Sequence, residues 1–375
     1  MDHLPLSRNA RGQGLILLTL ALMAMGVVLV HSALASVARP GPWYSRSDMR
    51  HVIFAVLAAM VLLAGWRFDY HLLASGRKWP IGATVLLAGS LALCAAALIP
   101  GIGHEMGGDR RWLRVGPPQF KLGFQPSEIL KLTVVIFLAC WLTRPEVDVR
   151  SFRGTFVKAV VLVGISAALV ITEDFGTGMI IGVGAAVTML LAGVPWLYLL
   201  SLAPPGVLAF YGFVVCSQHR WARIAAMLDP WAVHNHQSRQ SLLAVVSGGW
   251  FGKGLGAGTQ KLGYLPEDST DFIFSAACEE TGVLGGCLLM GLLLVWMFLI
   301  RKAATSAPDR LGQVLAGSLG FMIAAQAVMH IAVDLAAMPP TGMTFPFLSA
   351  GGTALVLMAG GIAMVVSTTA HSGRA

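Results

Sequence analysis

The chain has 375 residues, of which 56% are hydrophobic and only 12% charged, with a formal net charge of +8 and a mean hydropathy of +0.73. Soluble domains carry about 25% charged residues, so the composition excludes an ordinary soluble enzyme and points to a polytopic membrane protein. The positive balance fits Lys and Arg that flank membrane spans, or an anionic substrate. No basic run with interleaved aromatics supports nucleic-acid binding.

A bilayer core needs about 20 apolar residues per helix. Ten runs qualify in chain order: 14–36, 51–66, 79–99, 127–143, 155–172, 175–193, 195–215, 272–300, 311–337 and 347–369. The first follows Arg8 and Arg11 and is too long for a signal-peptide core, so it reads as a membrane helix. The Pro204–Pro205 pair predicts a kink or break in the seventh. The expected fold is an all-α polytopic bundle of about ten transmembrane helices, one membrane domain over 1–375. Two long extracytoplasmic loops cover about 100–126 and 216–271. Ten spans put both termini on one side. Lys and Arg counts are nearly even between the two sides, but the short connections "WRFDYHLLASGRK", "RPEVDVRSFR" and "RKAATSAPDR" are basic and place that side in the cytoplasm. The five cysteines lie in or beside apolar runs without metal-ligand spacing.

The first long loop, "GGDRRWLRVGPPQFKLGFQPSEILKL", carries Arg110, Arg111, Trp112, Arg114 and Lys121. Trp with Arg is the composition of an interfacial anchor; it also suits an anionic headgroup, since Arg pairs bidentately with phosphate. Ser127 after Pro126 reads as the N-cap of the fourth span. Glu128 and Lys131, three apart on one helix face, can pair. An ionisable residue one turn into a membrane is a functional candidate, with snorkelling as the alternative.

The second long loop holds "RWARIAAMLDP", read as an amphipathic surface helix with Arg220 and Arg223 outward. Then comes the glycine-rich "SGGWFGKGLGAG". It matches neither a P-loop nor G-x-G-x-x-G, so nucleotide binding has little support. The glycines allow a close backbone approach to a ligand, or simply a mobile loop. "KLGYLPEDSTDFIF" ends the loop with Lys261, Glu267 and Asp271. Asp271 reads either as the N-cap of the next span or as a carboxylate held at the membrane edge as a base. Glu279 and Glu280, two to three turns further in, need a cation or a cavity.

"QSLLAVVSGGWFGKGLGAGTQKLGYLPEDSTDFIFSAACEETG", "RWLRVG…FQPSE", "EDFGTG" and "PPTGMTFPFLSAGG" together resemble the SEDS family (shape, elongation, division and sporulation) over nearly the whole chain. The resemblance implies a ten-helix enzyme of the cytoplasmic membrane that polymerises lipid II into glycan strands on the outer face. It also implies a class B penicillin-binding protein as partner, besides lipid II, the nascent glycan strand and membrane lipids. By position, Asp271 matches the Asp essential for polymerisation. Arg111 and Trp112 match the "RW" of the first outer loop, and Glu128 and Lys131 match "QPSE…K". Asp174 and Gly176 match the acidic-glycine turn, and Pro346, Ser349, Gly351 and Gly352 match the C-terminal "PF-S-GG". The chain departs from the pattern at Ser269 (usually His), at Glu173 (usually Pro), and at His330 and Asp334, which stand where an Asn is usual. "GMTFPF" and "YSRSD" lean toward the division branch (FtsW) rather than the elongation branch (RodA).

On this reading Asp271 is the general base. Arg110, Arg111, Arg114, Lys131, Lys253 and Lys261 are the candidates to hold the pyrophosphate, with Trp112, Glu128 and Glu267 completing the substrate site. No cofactor is expected, and a divalent metal is not readable from the sequence. Two alternatives remain open at this point: a lipid II flippase, and a non-catalytic scaffold of the cell-wall synthesis complex. The loops carry the charged and glycine-rich material, whereas a transporter site belongs near the midplane.

Overall fold

The computed structural model describes residues 9–34, 46–76, 79–106, 109–114, 123–172, 174–215, 218–229, 231, 236–259 and 270–370. The chain is an all-α membrane bundle. Its helices are α1 (Ala10–Leu34), α2 (Ser47–Gly65), α3 (Ile81–Leu98), α4 (Pro126–Leu142), α5 (Val157–Ile171) and α6 (Phe175–Ala192), followed by α7 (Trp196–Leu200), α8 (Ala203–Phe210), α9 (Gln218–Leu228), α10 (His236–Ser247), α11 (Ile273–Ser306), α12 (Arg310–Asp334) and α13 (Thr353–Ala370). Among the described residues, eight helices are long and apolar enough to cross a membrane. The ninth and tenth apolar runs are α4, only 17 residues long, and the α7–α8 pair, which breaks at Ser201–Leu202 just ahead of the two prolines.

Helix position in the bundle does not follow hydropathy. α13 and α2 are similarly apolar, yet most of α13 is buried and most of α2 is not. Sixteen of the 17 residues of α4 are buried, so α4 is a central post and α2 faces outward. Asn9 Nδ2 donates to Thr369 Oγ1 at 2.7 Å, so the beginning of α1 and the end of α13 share one end of the bundle. The other end of α1 carries Ser32, whose hydroxyl donates to Glu280 near the start of α11. The long connections gather at this second end.

The first long connection is not a plain loop. It forms an antiparallel sheet, β1 (Gly103–Met106), β2 (Asp109–Arg114) and β3 (Gly123–Phe124), in the order β1-β2-β3. Met106 pairs with Asp109 and His104 with Trp112; Leu113 pairs with Phe124. The helix-period reading passed over these strands, although Gly107–Gly108 between alternating residues is a hairpin signal. α9 falls where the amphipathic surface helix is predicted; the Arg220 and Arg223 side chains lie outside the described set.

α11 is longer than expected, 34 residues, and is broken at Gly282, whose φ of 74° and ψ of −178° are not helical. The glycine-rich segment docks on this break. Lys253 N donates to the Glu279 carbonyl and Gly254 N to that of Glu280, each at 3.0 Å; Val283 N donates to Gly249 O at 2.9 Å and Leu284 N to Trp250 O at 3.2 Å. The four bonds consume polar groups that the break exposes, as apolar surroundings require. A Cβ at position 282 would overlap the Trp250 carbonyl, and that backbone region is open only to glycine. Gly282→Ala is therefore expected to cost about 2 kcal/mol or more and to lower the melting temperature in detergent. An unchanged melting temperature would show that the break is not held by this contact.

Candidate active site

The start of α11 is organised from outside that helix. Its N-cap position is Phe272, which offers no side-chain bond, and Asp271 sits one residue further out. The first-turn bond comes from the end of α12: Asp334 Oδ2 accepts from Ser275 N–H at 2.9 Å. Asp271 is thus not the N-cap, because a fully buried carboxylate from another helix already fills that role. The Asp334 carbonyl accepts from Ser241 Oγ at 2.6 Å, and Ser241 and Ser275 hydroxyls meet at 2.5 Å, which ties α10 to the same corner.

The residue before Asp271 is pinned as well. The Thr270 carbonyl accepts from Ser349 Oγ at 2.7 Å and lies 3.3 Å from His330 Nε2. Ser349 Oγ also accepts from Phe345 N–H at 2.7 Å, and the His330 ring stacks on Phe345 with centroids 4.8 Å apart. The segment after α12 therefore sets the backbone from which Asp271 projects, half-buried.

Gly342 lies between Asp271 and the sheet. A methyl built there would stand 3.7 Å from Asp271 Oδ2, and 3.6 and 3.8 Å from Nη2 and Nη1 of Arg111. The carboxylate and the guanidinium thus both approach one point beside this glycine, which has a φ of +69°. Strand alternation separates Arg111 from Arg110, Trp112 and Arg114 on β2. Arg111 Nη1 pairs with Asp174 Oδ2 at 3.4 Å. Asp174 is the N-cap of α6. It also accepts from Thr177 N at 2.9 Å, Thr177 Oγ1 at 2.8 Å and Gln125 Nε2 at 3.0 Å. Arg111 Nε is buried and has no hydrogen-bond partner among the described residues. Gly176 lets the 341–343 segment cross α6, since a methyl there would come within 2.8 Å of Thr341 Cβ. Arg110 faces Glu105 at 3.3 Å and Arg114 donates to His104 Nε2 at 2.7 Å, both at exposed positions. Trp112 packs over Gly123, where a methyl would sit 3.0 Å from its ring.

A cleft runs from the two arginines down between α3, α4 and α5. Arg110, Arg111, Ser127 and Asp174 form its polar rim, and Cys94, Ala97, Leu98, Leu169 and Val170 its apolar wall. The lining sets arginines beside apolar side chains, a combination that suits an anionic group next to hydrocarbon.

The Cell cycle protein family model, FtsW/RodA/SpoVE, matches residues 13–374. The chain belongs to this family. It is 36% identical over 365 residues to a probable peptidoglycan glycosyltransferase FtsW of Halomonas elongata, covering 94% of this chain and 88% of that one. It is 35% identical to stage V sporulation protein E of Bacillus subtilis, covering 96% of each. Among solved structures, it is similar to a chain from "Structural coordination of polymerization and crosslinking by a peptidoglycan synthase complex" (TM-score 0.78, 24% identity, 97% and 98% coverage). It is also similar to the rod shape determining protein RodA of Thermus thermophilus (TM-score 0.69, 24% identity, 96% and 97% coverage). These two likenesses show a shared FtsW/RodA-type membrane fold.

Other members of the predicted FtsW/RodA-type site take different places. Lys131 does not snorkel: its side chain is 2% exposed, 2.7 Å from Glu128 Oε2 and 2.7 Å from Gln326 Oε1. Gln326 Nε2 continues to the Thr344 carbonyl at 2.7 Å. This chain links α4, α12 and the segment beside Gly342, so the pair holds the site's walls together. Ser127 is not a cap: the N-cap of α4 is Gln125, with Pro126 at the first helical position, where its missing N–H is harmless. Lys253 is engaged by Glu279 at 2.6 Å, as are Thr259 N and Oγ1 at 2.9 and 2.8 Å. At about 1.5 Å per residue that is roughly 12 Å along the chain axis from Asp271. Glu280 meets the Ser32 hydroxyl at 2.6 Å. Lys121, Glu173, Lys261, Glu267 and Ser269 lie outside the described residues. Among the described residues no group of three or more His, Cys, Asp or Glu side chains is placed to hold a metal ion. Sequence reasoning missed His330 and Asp334 as site builders. Their signal was present, two ionisable residues four apart inside an apolar helix.

Asp334→Asn keeps an oxygen acceptor for Ser275 N–H, whereas Asp334→Ala leaves the buried donor unpaired. The Ala variant is expected to lose about 1–3 kcal/mol and the Asn variant much less, by melting in detergent; equal losses would refute the capping role. Lys131→Met strands a buried carboxylate and should cost about 3–5 kcal/mol, with Glu128→Leu in the same chain restoring part of it. A double variant no more stable than Lys131→Met would refute the pairing.

Proposed function

We propose that this protein is a peptidoglycan glycosyltransferase that polymerises lipid II into glycan strands. Family membership supports the reaction class, and relatives carry that activity in their names. The observation that supports the assignment is that Asp271 and Arg111 both approach one point beside Gly342, with Asp271 on a turn held by Ser349 and His330.

The 4-hydroxyl of one lipid II attacks the anomeric carbon at the lipid-linked end of the growing strand. Asp271 takes the hydroxyl proton as the new glycosidic bond forms. The old anomeric C–O bond breaks, and undecaprenyl pyrophosphate departs with the bonding pair. Arg111, anchored through Nη1 on Asp174, keeps its other donors for phosphate. Arg110 at the cleft rim adds positive charge, and the apolar wall receives the polyprenyl chain. The mechanism draws on no cofactor. The bundle lies in the cytoplasmic membrane with its termini in the cytoplasm and the Asp271 end outward, where the nascent strand accumulates. A class B penicillin-binding protein is the partner that cross-links the product.

The decisive measurement is polymerisation of purified lipid II by the protein co-purified with its cognate penicillin-binding protein. Asp271→Asn is expected to lower the rate by about 10²–10⁴-fold with unchanged melting, because the helix cap belongs to Asp334. Near-wild-type polymer from that variant would sink the general-base role. If wild type made no polymer but moved lipid II across proteoliposome membranes, the protein would be a flippase. Arg111→Ala should raise the KM for lipid II about 10–100-fold, the worth of charge-assisted hydrogen bonds, and Arg111→Lys should recover little of it. An unchanged KM would remove Arg111 from the substrate site.

A further inference from the structure

The end of α10 and the glycine-rich segment carry several highly exposed large apolar side chains. Phe251 is 83% exposed, Val246 74%, Trp250 70% and Leu255 62%. Lys253, between them in sequence, turns the other way and pairs with Glu279. A segment that ties its one charge to a buried carboxylate and displays its aromatics suits a lipid-facing surface, and exposed apolar clusters of this kind mark membrane or protein contacts.

Depth decides between water and lipid. Arg301 and Lys302 are exposed near the other end of α11, with Lys302 Nζ 4.5 Å over the Phe298 ring, and so mark one membrane interface. A hydrocarbon core of about 30 Å takes about 20 helical residues, which places the opposite boundary near Gly282. The exposed apolar face of α11 begins there, with Val283, Leu284 and Leu288, while Ile273–Glu280 is almost wholly buried. Trp250 is bonded through its carbonyl to Leu284 N–H and Gly249 to Val283 N–H. Its aromatics therefore continue the lipid-facing strip of α11 at the level where Trp is favoured, the headgroup–acyl boundary.

We infer that residues 246–255 form a bilayer anchor, with Trp250, Phe251 and Leu255 embedded in the headgroup–acyl boundary beside the break in α11. The occupant of this surface is lipid. The anchor fixes the height of the glycine-rich segment, and with it α10 and the first turn of α11, relative to the membrane in which a lipid-linked substrate arrives.

The test is spin-label accessibility in the full-length protein in proteoliposomes, in a background with Cys216→Ser and Cys287→Ala. The remaining described cysteines, Cys94, Cys140 and Cys278, are buried. Labels are placed at Phe251→Cys, at Leu288→Cys as the lipid-facing reference and at Glu146→Cys as the water-facing one. The collision ratio of oxygen to a water-soluble nickel chelate at 251 is expected within about twofold of position 288 and about fivefold or more above position 146. A ratio at 251 like that at 146 would overturn the anchor. Protection from both reagents would also overturn it, since a protein, a second copy included, would then cover the surface. Leu255→Cys gives the same reading should Phe251→Cys not express.

Discussion

One hydrogen bond governs how this bundle presents its site: the Asp334 carboxylate closing the first turn of α11 on Ser275 N–H. A helix start inside a bundle leaves N–H donors that water cannot reach. The usual remedy is the side chain at the N-cap itself. Here that position is Phe272, and the acceptor comes from a helix about 60 residues further on. The aspartate beside the helix start can then have a different task. His330, one turn before Asp334, holds the Thr270 carbonyl, so one stretch of α12 fixes both the helix and the turn that precedes it.

The rest of the site is assembled by the same economy of donors and acceptors. Asp174 serves as the cap of α6 and as the anchor of Arg111. Ser349 accepts from Phe345 N–H and donates to Thr270 O. Gly176 lets a chain segment pass where a side chain would collide with Thr341, and Gly342 takes a φ of +69° that other residues rarely adopt. Five separate stretches of chain, on β2, at the starts of α6 and α11, on α12 and in the segment after it, meet around one small volume.

Buried charge in this protein is matched before it is used. Glu128 with Lys131 and Glu279 with Lys253 are ion pairs whose carboxylates are almost fully buried. Such pairs add little net stability but cost much when one member is removed, which makes them fasteners. The first links α4 to α12, and the second holds the glycine-rich segment on the Gly282 break. Arg110 and Arg114 remain exposed on the sheet.

The sequence by itself determined the class of protein, the ten apolar runs, the shared end of the two termini and the family, because hydropathy and long local motifs need no knowledge of neighbours. The pairing of Glu128 with Lys131 was legible for the same reason, as spacing on one helix face. Other features depended on distant contacts. Asp271 looked like a cap until Asp334 arrived from another helix. Ser127 looked like a cap until Pro126 took the first helical position. The pairing of Lys253 with Glu279 needed a helix 26 residues further on. The strands around Trp112 were hidden by a helix-period reading, and the inner and outer helices by an apolar character shared by all of them. Only tertiary structure decides which donor meets which acceptor. In a bundle that lipid surrounds, each buried polar group must find its partner within the chain, however far away in sequence that partner lies.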